Sequence, residues 1–250
     1  LATQFLMRST MTKALILLIL TLMLPVLHTY AQNRAGAEWK KDRVEDTVTV
    51  KEKDAEKHYV PTWQFGLNGG LAKRLFRSGI IPTSAEEKYI DDLKSGISFG
   101  ANASYFYWKQ IGFGLVFDRY QSKATSEDGL TESVLIQHLS GAVSYRSVLK
   151  SLKTSVISSF MLGYQPYRNK AVANAEQLTF SGNTMGWGLS VGIERRLGNR
   201  LALNLTGSAM MGAIYRMKKE TPLHTTVLHL SKDDHVDLSR ASLTLGLRFF

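Results

Sequence analysis

The chain of 250 residues contains no cysteine. That excludes a disulfide framework, a thiolate metal site and a lipid-acceptor cysteine behind an export signal. Apolar runs long enough to span a bilayer are absent too. With 44% hydrophobic and 21% charged residues, the composition excludes a multi-helix membrane protein. No nucleic-acid module is recognisable either, so the formal charge of +10 points to an anionic lipid surface as partner, not to nucleic acid.

One segment stands apart. Residues 14–26 read ALILLILTLMLPV, preceded by Lys13 and followed by LHTYAQ. This run is about half of the ~20 residues a spanning helix needs, and Pro25 interrupts its end. A charged start, an apolar middle and a small-residue cleavage site predict a signal peptide region over 1–31, cut after Ala31. Loss of Arg8 and Lys13 with it lowers the formal charge from +10 to +8. Residues 32–60 follow, rich in Lys, Glu and Asp and poor in large apolar groups. Such a stretch cannot bury enough surface to fold, so it is expected to be a charged, disordered periplasmic leader, with DTVTV at 46–50 as a short candidate strand.

From Trp63 the texture changes to period two. Trp63, Phe65, Leu67, Gly69 and Leu71 share one parity, and Gln64, Gly66, Asn68 and Gly70 the other. The same split recurs over 97–107, 185–194, 201–211 and 242–249, with weaker runs over 111–120, 134–146 and 152–164. Eight strands of roughly ten to fifteen residues result, long enough for the ~9–11 that a tilted strand needs to cross a bilayer. The connections over 109–110, 147–151 and 197–200 are short, whereas 73–95, 121–133, 166–177 and 216–236 are long. Alternation of short and long connections suits a barrel with tight turns at one end and surface loops at the other.

On this topology Trp63, Tyr105, Tyr107, Phe113, Tyr145 and Phe249 form one aromatic band, and Phe117, Phe160, Tyr164, Phe180 and Tyr215 a second. The fold expected for 61–250 is therefore all-β, an eight-stranded antiparallel up-and-down transmembrane β-barrel. A soluble sandwich or lipocalin-like barrel has the same periodicity with its apolar face inward. Long strands, Gly- and Ser-rich opposite faces and an export signal favour the membrane reading.

The segment LSRASLTLGLRFF at 238–250 resembles the closing strand of the eight-stranded outer membrane β-barrel proteins of Bacteroidetes-type bacteria, barrels of the OmpA/OmpX kind. ISFGANASYFYWKQIGFGLVFD at 97–118 and MGWGLSVGIERRLGNRLALNLTG at 185–207 are similar to the same barrels. The resemblance implies a cell outer membrane location, contact with outer membrane lipid and lipopolysaccharide, and recognition of the C-terminal strand by the barrel-assembly machinery. One departure is visible: the apolar parity ends on Phe249, which puts Phe250 out of phase.

Asp118, Arg146, Glu194, Arg196 and Arg248 fall on the inward parity near the strand ends, where charges in a narrow lumen need partners. They are expected to form a structural network that locks the barrel, with a narrow channel as the alternative. Lys73, Arg74 and Arg77 follow the first strand where it leaves the bilayer and are candidates for lipid-headgroup contacts. His138 and Ser140 resemble the His-x-Ser pair of outer membrane lipid A deacylases. Nucleophilic catalysis needs a base beside the serine and an acid to orient it, but no third member is evident, and both residues have inward parity. His224, His229 and His235 with Asp233 and Asp234 are spaced too irregularly for a compact metal motif. The expectation is a non-enzymatic barrel with a filled lumen, no catalytic residue, no metal and no cofactor, a membrane-embedded lipid A hydrolase being the alternative.

Overall fold

The computed structural model describes residues 61–76, 84–149, 153–173, 176–231 and 234–250. The expected signal peptide, the leader over 32–60 and Arg77 lie outside the described residues. In chain order the elements are β1 (Trp63–Arg74), α1 (Ser84–Lys94), β2 (Ser95–Tyr105), β3 (Ile111–Thr125), β4 (Thr131–Val148), β5 (Thr154–Ala173) and β6 (Glu176–Arg196). After them come β7 (Leu201–Met211), β8 (Ala213–Ile214), β9 (Arg216–Glu220), β10 (Thr225–His229), β11 (Val236–Asp237) and β12 (Arg240–Phe249).

Strands β1 to β7 each pair antiparallel with the next, β7 pairs with β12, and β12 pairs with β1. The ring of eight therefore has no open edge. Stepping across partners from Trp63 through Tyr105, Phe113, Val143, Phe160, Leu189, Ala209 and Ala241 leads back to β1 at Lys73, ten residues above the start. That stagger tilts the strands, and eight tilted strands leave an interior that side chains can fill. Small inward residues make the narrow bore possible. A Cβ on Gly163 would collide with the Leu139 carbonyl and Ser140, and Gln165 lies in the space left by Gly186 and Gly212.

The wall is uneven in height. β1, β2, β7 and β12 have 12, 11, 11 and 10 residues, whereas β4, β5 and β6 have 18, 20 and 21. At ~3.3 Å per residue the long strands exceed any ~25 Å apolar band and must project beyond it. Two of the expected long loops are thus corrected: 121–133 and 166–177 are largely strand. β3 and β4 close through a turn in which Gly129 takes φ 76°. β5 and β6 stay paired from Thr154↔Arg195 to Ala173↔Glu176. Pro166 suggests a strand end in the sequence, because proline removes a ladder donor. It pairs with Asn183 on β6, while the β4–β5 ladder is interrupted at its own position.

The other two long connections carry structure as well. Residues 84–94 form α1, with Glu86 and Glu87 in its first turn and Lys94 in its last, as the helix dipole favours. The last connection forms the β9–β10 hairpin, which adds to the upper half of β6 through Thr179↔Glu220 and Gly182↔Met217. Phe180 moves out of the aromatic band in consequence. Because β6 continues through it, its parity turns it inward, where it packs on the buried cluster of Tyr120, Ile136, Tyr167 and Met217.

Candidate functional site

The interior is built in three levels. At the end with short turns, Glu194 of β6 is fully buried and faces Arg248 of β12, Oε2 to Nε 3.5 Å. Ser155 Oγ donates to Glu194 Oε1 at 3.3 Å, and Arg248 Nη1 donates to Gln64 Oε1 at 3.2 Å. Arg146 finds carbonyls instead of a carboxylate: Nη1 donates to Pro61 O and Nη2 to Lys109 O, each at 3.1 Å. Its guanidinium also lies 3.8 Å over the Phe106 ring, which is itself buried, so the pair fills this end of the bore. Arg196, at the end of β6, lies over the ring of Phe250, one residue past β12.

The middle level is mostly hydroxyl and amide, beside a small buried apolar patch of Ala142, Met161 and Met210. Ser144 and Ser159 hydroxyls are 2.8 Å apart, Ser208 and Ser242 2.6 Å, and Asn204 Nδ2 donates to Thr206 Oγ1 at 2.7 Å. The void among them measures about 60 Å³. Above it Asp118 of β3 accepts from Arg240 Nη2 at 2.6 Å and from Ser98 Oγ at 2.7 Å. The expected network is therefore divided: Glu194 and Arg248 meet, with Arg146 at the same end, while Asp118 sits higher and pairs with Arg240. Arg240 is absent from the expected network, although 240 shares the parity of 242, 244, 246 and 248.

The third level is apolar. Tyr120, Val134, Ile136, Tyr167, Ile214, Met217 and Leu238 form a buried cluster at the end with long connections, joined by Leu93, Leu228, Leu230 and Val236. α1 closes over the same end. Tyr120 Oη donates to Lys94 O at 2.7 Å and Ser122 Oγ to Leu93 O at 2.9 Å, so β3 satisfies carbonyls that a helix C-terminus leaves open. Burial and the Glu132 carboxylate push the Tyr89 hydroxyl above its usual range. On the rim, Lys73 Nζ donates to Asp91 Oδ1 at 2.7 Å, which holds the Asp91 carboxyl below the usual carboxylate range.

The outside has the opposite composition. Trp63, Phe65, Leu67, Leu71, Phe113, Leu115, Phe160, Leu162, Trp187 and Val191 are exposed, while Gln64, Ser104, Ser140, Ser144 and Ser155 are buried on the inner face. Leu139, Tyr164 and Met185, cross-strand neighbours, make the last apolar row. One step further up stand Gln137, Pro166 and Asn183, and the next row holds Leu135, Arg168, Ser181 and Lys218. No water-soluble sandwich or lipocalin-like barrel would expose a belt of this kind around a polar interior. The chain is an outer membrane β-barrel. Its strands make the crossing, since among the described residues no helix is long and apolar enough to do so. The long connections lie at the α1 end and the short turns at the Arg146 end, the arrangement that in outer membrane barrels goes with the outer and the periplasmic side respectively.

No family model matches the barrel, and no curated protein matches it. Among solved structures it is similar to Neisserial surface protein A of Neisseria, at 14% identity and TM-score 0.45, over 76% of this chain and 97% of that one. It is also similar to a major outer membrane protein of Thermus thermophilus, at 15% identity and TM-score 0.49, over 75% and 98%. A third is the Ail protein of Yersinia pestis, at 11% identity and TM-score 0.46, over 76% and 99%.

The remaining candidates fall as follows. Lys73 is exposed at the outer rim, but Arg74 is corrected: it is 5% exposed, turns into the lumen and donates Nη2 to Asp237 O at 2.9 Å. Its parity is that of Gln64 and Ala72, so the barrel wall hides it from headgroups. His138 and Ser140 are buried and also face the lumen, away from lipid. His138 Nδ1 lies 3.1 Å from Met210 Sδ, and Ser140 Oγ donates to Val116 O at 3.4 Å, so neither engages the other. Among the described residues no three His, Asp or Glu side chains gather as metal ligands; Asp233 lies outside them. His235 instead packs its ring 5.5 Å from Tyr215.

Proposed function

We propose that the protein is a non-conducting, non-enzymatic outer membrane barrel whose working surface is the tall outer sheet of β3–β6, β9 and β10. A single observation carries this reading: the bore is closed three times over, by Phe106 under Arg146, by the Glu194–Arg248 and Asp118–Arg240 pairs, and by the apolar cluster beneath α1. An ion crossing the barrel would have to displace each of these, and the cluster offers it no more than the Tyr120 and Tyr167 hydroxyls. Outer membrane lipid and lipopolysaccharide surround the belt in this reading, and β12 is the strand offered to the barrel-assembly machinery.

The test is conductance of the purified protein in planar bilayers. Baseline current is expected; steady single-channel steps would replace this reading with the narrow channel. The hydrolase alternative is checked separately, by mass spectrometry of lipid A from cells with and without the protein. No acyl loss is expected, and acyl loss abolished by Ser140→Ala would overturn the non-enzymatic reading.

A further inference from the structure

The outer face of the tall sheet has a dent where two ladders are interrupted. The β4–β5 pairing skips Gln137 opposite Pro166, and β6 changes partner from β7 to β9 between Trp187 and Gly182. The hollow measures about 860 Å³, and its lining includes Gln137, Ser181, Asn183, Arg168, Arg216 and Lys218. A single carboxylate, Glu220, lines it with three cations, on the same face of β9 as Arg216 and Lys218. Among the described residues none of the three cations makes an ion pair. Arg119, nearer the bilayer on β3, is engaged elsewhere: it donates to Gln121 Oε1 and lies over Phe99.

Arg168 and Lys218 flank Ser181 in one cross-strand row, two strand spacings apart, or roughly 10 Å. Two cations at that distance repel unless an anion lies between them, and the hollow supplies hydroxyl and amide donors for its remaining oxygens. An arginine presents a fork that matches phosphate. Directly below on the same face runs the exposed apolar wall of Leu139, Tyr164, Met185, Leu162 and Trp187. A ligand seated here meets cations at its head and lipid-facing side chains along its length.

We infer that this hollow binds the phosphate group of an outer-leaflet glycolipid, with Arg168, Arg216 and Lys218 as its cationic contacts and the apolar wall beside its acyl chains. The inference rests on the proposed function in taking the tall sheet as the working surface, and it names that surface's ligand. Free phosphate shares the head chemistry but not the acyl chains.

The test uses the full chain in phosphatidylcholine nanodiscs, with native mass spectrometry counting retained lipid. Three probes are compared: bis-phosphorylated lipid A, its dephosphorylated form, and inorganic phosphate. Phosphorylated lipid A is expected to be retained, and the double variant Arg168→Gln, Lys218→Gln, which removes two charge-assisted contacts, to bind it roughly a hundredfold more weakly. Lys123→Gln, on β3 outside the hollow, is expected to leave retention unchanged. Equal retention of dephosphorylated lipid A, or unchanged binding by the double variant, would overturn the inference. Inorganic phosphate displacing lipid A at equal concentration would also overturn it, since the site would then be one for free phosphate. Heat-modifiable gel migration verifies that each variant is folded. Bilayer conductance reads the closed lumen independently, so either claim can fail alone.

Discussion

The lower and upper halves of the same strands obey opposite rules. Within the bilayer β5 turns Ser155, Ser159 and Gln165 inward, with Ile157 and Met161 between them, and Phe160, Leu162 and Tyr164 outward; above it the same strand turns Tyr167 inward and Arg168 outward. β4 changes in the same way, from inward Ser144, Ser140 and His138 to inward Ile136 and Val134. Parity does not alter at the crossing, although the β4–β5 ladder skips Gln137 and Pro166 and β6 passes from β7 to β9 there. The outer solvent changes as well, from hydrocarbon to water, and burial of apolar surface follows water. The lower half therefore keeps polar pairs inside beside the patch of Ala142, Met161 and Met210, while the upper half builds a core that is apolar apart from Arg74 and so seals the mouth.

The sharpest way to break this comparison is to strand a charge in the lower half. Asp118→Ala leaves Arg240 buried without its carboxylate and is expected to cost about 3–5 kcal/mol. Urea unfolding in lipid vesicles, read by heat-modifiable migration, measures it; a cost below about 1 kcal/mol would mean that Arg240 is hydrated and the pair is not structural. In the upper half the corresponding change is hydrophobic. Ile136→Ala is expected to cost about 2–5 kcal/mol by the same measurement, as for an aliphatic side chain in any water-excluded core. A neutral result would place that cluster outside the core. A third test moves one substitution across the boundary on the outer face. Val191→Arg, within the belt, is expected to cost about 2–4 kcal/mol, and Ser133→Arg, on the upper sheet between Lys123 and Lys170, no more than about 1 kcal/mol. Equal costs at the two positions would erase the boundary drawn above Leu139, Tyr164 and Met185.

What could be read from the chain in advance follows from the same rule. Where lipid lies on one side, alternation is strict, so the facing of Phe65, Leu67, Phe160 and Val191 was visible, as was the inward parity of Glu194 and Arg248. Above the bilayer the alternation inverts, and segments such as 121–133 and 166–177 lose the pattern by which strands are recognised. Phe180 is misplaced by the sequence because the clear alternation of its strand begins only at 185, which leaves the parity of 180 unread. Arg240 and Arg74 are readable by parity alone: each continues the inward series of its strand. For Arg74 the adjacent Lys73 and Arg77 suggest a basic rim instead, and proximity in sequence outweighs facing. Helix α1 escapes notice because Tyr89, Ile90 and Leu93 make too short a stripe to stand out from the charged residues around them. The hollow on the outer face is not readable, since Arg168 of β5 and the pair Arg216 and Lys218 of β9 come from two separate stretches of chain whose register only the fold provides.

The smallest effect belongs to the seam between the halves, where Lys73 of β1 reaches Asp91 of α1. Both side chains are exposed, so solvent screens the pair and no measurable change in the unfolding midpoint is expected from Asp91→Asn. Its influence should be local and confined to acid. Hydrogen bonding to Lys73 lowers the Asp91 pKa in the folded chain. The tether is therefore fully present above the ordinary carboxylate value, near ~3.9, and is lost only as pH falls through the lowered one. Amide protection factors along α1, corrected for intrinsic exchange, should stay flat from about pH 8 to pH 5 and decline below about pH 4. A decline between about pH 7 and pH 5 would require a group that titrates there, and the carboxylate of Asp91 would then not be what holds α1 to the rim.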